Sequence, residues 1–340
     1  MMHSFTLASL GFLGLQLNAA SAFLVPAPAQ AAVSKSTRNM RSTSSALDAT
    51  VGTNEGGLKK LTITSGDAEA EIFTLGACVT SFKVSDYDYL FVRPDAKMDG
   101  SKPISGGLPH CFPQFGPGEI QQHGFGRNLE WDVVDTTDAS VSMKLVNNDE
   151  TMAMWPHPFE CVYKVALNGA TLETELAVTN TGSGAFDFQA ALHSYFRCSD
   201  INKVTISSPQ FDGASYLNKM KDPPATETFA GDKMTISEET DQVFKGVTGD
   251  VAIDDAGNSR KLTVSNTAGW SDTVIWNPYG SEGKQEKQPP PPPPLPSIPI
   301  FVMVYSMGAD NFLCVESAKI EGGKLGAGET WTGKMTLLPA

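Results

Sequence analysis

The 340 residues contain no C-x-x-C pair and no N-x-S/T glycosylation sequon. The five cysteines, Cys78, Cys111, Cys161, Cys198 and Cys314, are odd in number and widely spaced, which argues against a disulfide framework or a cysteine zinc site. A P-loop, a G-x-G-x-x-G and a G-x-S-x-G elbow are all missing, so nucleotide-binding and serine-hydrolase readings lack support. Positive charge is scarce: 25 Lys and Arg face 38 Asp and Glu, a formal net charge of −13. Such a surface repels phosphate backbones and anionic lipid, which speaks against nucleic-acid and membrane-surface partners. After residue 22 no segment has the roughly 20 apolar residues that a membrane helix needs. Long helical periodicity is also absent.

Residues 5–22, FTLASLGFLGLQLNAASA, form a short apolar run ending in small residues. This reads as a signal peptide over 1–22 rather than an anchor or a buried helix. Residues 23–48 carry Lys35, Arg38 and Arg41, many Ser, Thr and Ala, and no acid before Asp48, which is transit-peptide composition. The pair, joined at Ala20-Ser21-Ala22-Phe23, resembles the bipartite plastid presequence of algae with secondary plastids. The expectation is a soluble stromal domain over 49–340; the alternatives are the secretory route or the cytoplasm.

The body predicts an all-β fold. Val141, Met143 and Leu145 alternate with polar residues, as do Tyr163, Val165 and Leu167, then Leu172, Thr174, Leu176 and Val178. Asn168-Gly169 between the last two runs predicts a hairpin. A further run, Leu262 and Val264, ends at Ser265-Asn266. Many strands with Gly, Asn and Asp turns suggest one large antiparallel sandwich. The pattern breaks at about 280–306, where residues 289–294 are all proline. Such a tract favours polyproline II and cannot join a ladder. A ligand for a proline-recognition module is one reading; a surface insertion without a chemical role is the preferred one.

Three segments hold candidate chemistry. SKPISGGLPHCFPQFGPG (101–118) and QQHGFGRN (121–128) form a Gly/Pro-dense loop with His123 and Arg127 among Phe112, Phe115 and Phe125. Arg127 suits a phosphate or sugar hydroxyl, or equally a structural carboxylate. In FQAALHSYFRCSDI (188–201), His193 sits in an apolar run where a satisfied core histidine is the commoner outcome. In NFLCVESAKI (311–320), Glu316 is either a buried, pKa-tuned carboxyl or an outward-facing strand residue beside Ser317 and Lys319. A zinc site of His110, Cys111 and His123 is disfavoured, because the adjacent His-Cys pair is geometrically awkward.

Together with EETDQVF (238–244) and VIWNPY (274–279), these segments resemble the glucose-6-phosphate 1-epimerase family of the galactose mutarotase-like superfamily. The resemblance runs from about residue 60 to the C-terminus. It implies a β-supersandwich, no cofactor and no metal. It makes His193 the general acid, initially protonated, and Glu316 the general base, the two contacting opposite sides of one sugar ring. Gln122 and Arg127, with His123 beside them, and Asp241 are implied to bind substrate. Where the family has arginine in S-K-P-x-R-G-G this chain has Ser105, and where it has T-D-R this chain has Gln242. Lys102 and Arg93 are the candidates to compensate. The expected activity is α/β anomer exchange on a hexose 6-phosphate by a monomer. The alternatives are a mutarotase for unphosphorylated hexoses and a non-catalytic sugar-binding sandwich.

Overall fold

The computed structural model describes residues 49–280 and 308–340. Residues 1–48, where the presequence is expected, and almost all of the proline-rich segment expected at about 280–306 lie outside the described residues. The regular structure described is nearly all antiparallel strand, as the alternation requires. Val141, Met143, Leu145, Tyr163, Val165, Leu167, Leu172, Leu176 and Val178 are all buried. They belong to three neighbouring strands, Ser140–Val146, Phe159–Asn168 and Thr171–Asn180. Asn168 is the closing pair of the hairpin, opposite Thr171, so the two-residue turn is Gly169-Ala170, one position later than the Asn-Gly signal implies. Arg260–Ala268 likewise runs past Ser265-Asn266 and absorbs the break as a register shift between Asn266 and Ala268.

These strands belong to a nine-stranded sheet. An eight-stranded sheet contains, in spatial order, Ala225–Thr228, Ser215–Asn218, Thr240–Lys245, Asp272–Asn277, Phe312–Lys319, Ala190–Leu192 and His110–Cys111, with Tyr195–Arg197 also paired to Phe312–Lys319. A five-stranded sheet of residues 50–88 completes the main architecture. One continuous core joins all three, including Ile63 and Phe82, Val165 and Leu337, and Leu192, Ile275, Leu313 and Val315. His110 shows how closely the large sheets approach: its ring stands edge-on to Tyr163 at 4.3 Å and stacks on Trp131 at 5.1 Å.

Period-2 geometry then decides where polar chemistry can go. Along Phe312–Lys319, Leu313 and Val315 point into the shared core. Phe312, Cys314, Glu316 and Ala318 point to the other face, where two small apolar clusters cover them. The Gly/Pro-dense loop lies over that face. Gly124 in this loop has φ +69°, and a Cβ there would stand 2.2 Å from the Phe112 carbonyl oxygen. Gly124→Ala should therefore destabilise the fold by at least about 2 kcal/mol, read as a lower urea midpoint at unchanged slope; an unaltered midpoint would contradict this account of the loop.

Candidate active site

The site is laid out in rows across the eight-stranded sheet. Asp241 is opposite Trp276, Trp276 opposite Cys314, and Cys314 opposite Tyr195. In the next row Val243 is opposite Val274 and Val274 opposite Glu316. Leu192 is opposite Ser317 and Tyr195 opposite Cys314, so the same register sets His193 opposite Glu316. Two residues 123 positions apart thus meet, His193 from the short break between its two strands, with Nδ1 of His193 3.4 Å from Oε1 of Glu316. The backbone N–H of His193 donates to the Pro109 carbonyl at 2.9 Å, which ties it to the overlying loop.

Both residues line a cavity of about 540 Å³. Its other walls include Phe115, Gln122, His123, Arg127, Lys219, Asp241 and Trp276. His193 stacks on Tyr195 at 5.0 Å and meets Trp276 and His123 edge-on at 5.6 and 5.3 Å. Glu316 is only 1% exposed, and its Oε2 has no hydrogen-bond partner. Glu316 is therefore both things the sequence left open: it points away from the main core, yet it is covered. Ser317, facing the core, satisfies its hydroxyl on Asn266 Oδ1 at 2.6 Å.

Burial sets the protonation of the pair. Desolvation, and then the charge of Asp241, hold the Glu316 carboxyl well above the usual carboxylate range, against Lys219 and Arg127. Desolvation, and then His123 and Arg127, push His193 well below the usual imidazole range. Burial therefore favours a protonated carboxyl beside a neutral imidazole over the imidazolium–carboxylate form. The ionised and neutral forms of the pair carry the same single proton.

His123 is held by its loop. It sits at φ +66°, a strained conformation for a non-glycine residue. Its N–H donates to the Gly116 carbonyl at 2.9 Å, and its Nδ1 accepts from the Gly116 N–H at 3.2 Å. Nδ1 also lies 3.1 Å from Cys111 Sγ. With Nδ1 occupied as an acceptor, the neutral ring carries its proton on Nε2. Desolvation, then Arg127 and Lys219, lower its pKa to about 4. His110 points to the opposite side of its strand, into the core, so the disfavoured zinc set of His110, Cys111 and His123 does not converge.

Of the residues singled out in the sequence, His193, Glu316, Gln122, His123, Arg127 and Asp241 meet in this cavity. Lys102 and Arg93 are not among its lining residues; Arg93 is forked onto Asp95 at 3.0 and 3.2 Å. Arg127 donates from Nη2 to the Gln122 carbonyl at 3.0 Å and forms no ion pair with a carboxylate among the described residues. The cation the sequence did not single out is Lys219. It follows the strand Ser215–Asn218, and its N–H donates to the Asp241 carbonyl at 3.0 Å. Its Nζ lies 3.1 Å from Asp241 Oδ1 and 5.0 Å from the Phe115 ring centroid. No quoted motif contains Lys219, whereas Tyr195 and Trp276 lie within two of them.

Residues 59–338 match the family model described as aldose 1-epimerase. The chain belongs to the aldose 1-epimerase family. It is 32% identical over 285 residues to a protein of Cenchrus ciliaris named "Putative glucose-6-phosphate 1-epimerase", covering 79% of this chain and 80% of that one. An Escherichia coli K12 protein of the same name is 30% identical over 212 residues, 60% and 68% of the two chains. A solved Salmonella typhimurium structure titled "putative mutarotase" superposes with TM-score 0.71 at 23% identity, covering 86% of this chain and 94% of that one. The fold is galactose mutarotase-like, and this aldose 1-epimerase family member is an isomerase of the epimerase type.

A carboxyl that folds protonated but ionises when unfolded loses stability as pH rises from the unfolded carboxyl pKa, about 4.3, toward the folded value. Glu316→Gln, which needs no proton, should raise Tm at pH 7–8 more than at pH 4–5, roughly 2–4 °C per kcal/mol gained. A variant less stable than the parent at every pH would contradict the protonation assigned to Glu316.

Proposed function

We propose that this protein interconverts the α and β anomers of a hexose 6-phosphate, with His193 and Glu316 as its acid–base pair. The observation that carries the reading is the contact of the two side chains at 3.4 Å on the wall of a sugar-sized cavity. Ring opening removes a proton from the C1 hydroxyl and delivers one to the ring oxygen. Those two oxygens are bonded to the same carbon, so the acid and base belong side by side. Placing them on opposite sides of the ring, as the sequence reading does, is the less suitable arrangement.

One proton shared by two groups is the correct inventory. One partner protonates the ring oxygen while the other takes the C1 hydroxyl proton, and the pair again holds one proton. Rotation about C1–C2 exposes the other aldehyde face, and the same steps run backwards. We assign Glu316 as base and His193 as acid in the substrate complex. Arg127 and Lys219 are among the charges that depress the His193 pKa. A phosphate dianion beside them offsets that effect and favours moving the proton from carboxyl to imidazole.

Phosphate selectivity follows from the same charges. Arg127 and Lys219 stand against Asp241 alone, while the one-proton pair is neutral overall, which leaves the cavity near +1 in a chain of −13. Ser105 and Gln242 leave Lys219 and Arg127 as the cations available at the wall. An unphosphorylated hexose is the second reading, supported by those two departures.

Anomer exchange by the purified protein should be faster on glucose 6-phosphate than on glucose. His193→Ala and Glu316→Gln should each lower the catalysed rate about 10²- to 10⁴-fold. Full activity in both variants would remove the pair from the mechanism. Lys219→Met should raise KM for the phosphorylated sugar roughly tenfold, a loss of about 1.4 kcal/mol, and leave KM for glucose within about twofold. Equal losses on both sugars would show that Lys219 does not read the phosphate.

A further inference from the structure

Cys314 belongs to the row beside Glu316 on the same strand face, two residues away. One His193 ring nitrogen, Cys314 Sγ and one Glu316 oxygen all lie within 4.8 Å of one another. Zinc bonds to these donors are about 2.0–2.3 Å long, which sets donors in a tetrahedral site roughly 3.3–3.7 Å apart. Closing the set therefore shortens the widest donor separation by at most about 1.5 Å. Glu316 Oε2 and His193 Nδ1 are buried without hydrogen-bond partners, so neither must surrender one to bind an ion. The cavity supplies space for a fourth ligand from water, and His193 is the accessible member at 12% exposure. Nitrogen, thiolate and carboxylate together suit a borderline or soft divalent ion.

We propose that His193, Cys314 and Glu316 form a site for a thiophilic divalent cation, Zn²⁺ or Cd²⁺, and that its occupancy switches the anomer exchange off. The inhibitory consequence rests on the acid–base roles assigned above; the binding itself does not. The ion takes the imidazole lone pair and the carboxylate at once, which leaves the sugar neither acid nor base. Binding displaces two protons, one from the Cys314 thiol and one from the His193–Glu316 pair, so M²⁺ enters and 2 H⁺ leave with no change of oxidation state. The second cysteine–histidine contact, Cys111 with His123, has only two donors and serves as the control.

Titration of the full protein with CdCl₂ should produce a near-ultraviolet cadmium–thiolate absorption saturating at one ion per chain. Two protons should be released per ion. Cys314→Ser should abolish the band and Cys111→Ser should retain it. His193→Ala and Glu316→Gln, which keep the thiol, should each weaken binding at least tenfold, so the outcome survives a misfolded Cys314 variant. Anomer exchange should fall with the same midpoint as the absorption rises. A band that persists in Cys314→Ser, or is unmoved in both His193→Ala and Glu316→Gln, overturns the site. A band with the expected variant dependence but undiminished anomer exchange overturns the inhibition alone. Saturable cadmium binding in a protein with no measurable exchange would instead count against the proposed function.

Discussion

The site depends on one constraint: an imidazole and a carboxyl are forced together on a sheet face from which water is largely excluded. In water each would take its own ordinary charge. Here burial penalises both charged forms at once, raising the Glu316 carboxyl and lowering the His193 imidazole. This costs the fold stability, because the unfolded chain would ionise Glu316 near neutral pH. The expense is borne by the apolar clusters on either side, Cys111, Val243, Val274 and Ala318 on one and Phe91, Tyr195, Phe312 and Cys314 on the other. They keep the pair dry and its separation short.

The sheet register carries this geometry. Functional side chains on adjacent strands are held at fixed spacing by backbone hydrogen bonds, a stiffer support than a loop offers. The loop residues play the complementary part. His123, Gln122 and Arg127 close the cavity from above, and the loop is pinned by its own bonds. Gln114 Nε2 donates to the Gly116 carbonyl at 3.1 Å, and its Oε1 accepts from the Ile120 N–H at 3.2 Å. Gln189 Oε1 accepts from the Phe115 N–H at 2.9 Å, while its Nε2 donates to the Ile320 carbonyl at 2.7 Å. One amide thereby joins the loop to the chain just beyond the Glu316 strand. A rigid acid–base floor under a rigid hydrogen-bonding roof suits a reaction whose groups move only protons.

Much of this was legible in the residues. Period-2 alternation located the strands Ser140–Val146, Phe159–Asn168 and Thr171–Asn180, because each has one face in a continuous core. The family-like motifs marked six of the residues that meet in the cavity. The rest depends on three-dimensional pairing. That His193 faces Glu316 follows from inter-strand register, which no local pattern encodes. Lys219 escaped notice because it lies in a turn without a motif, and only its approach to Asp241 and Phe115 brings it to the cavity. Arg93 and Lys102 were plausible by charge alone; a nearby carboxylate claims Arg93, and neither lines the wall. How burial shifts the two groups was not legible, because a sequence shows which groups titrate but not how deeply they are buried.

The central claim is tested most directly by ¹⁵N NMR of the His193 ring in the sugar-free protein, assigned by comparison with His193→Ala. The account predicts a neutral imidazole at pH 7 that stays neutral well below the ordinary histidine value of about 6.5. A ring that is an imidazolium at pH 7 without added sugar would contradict it.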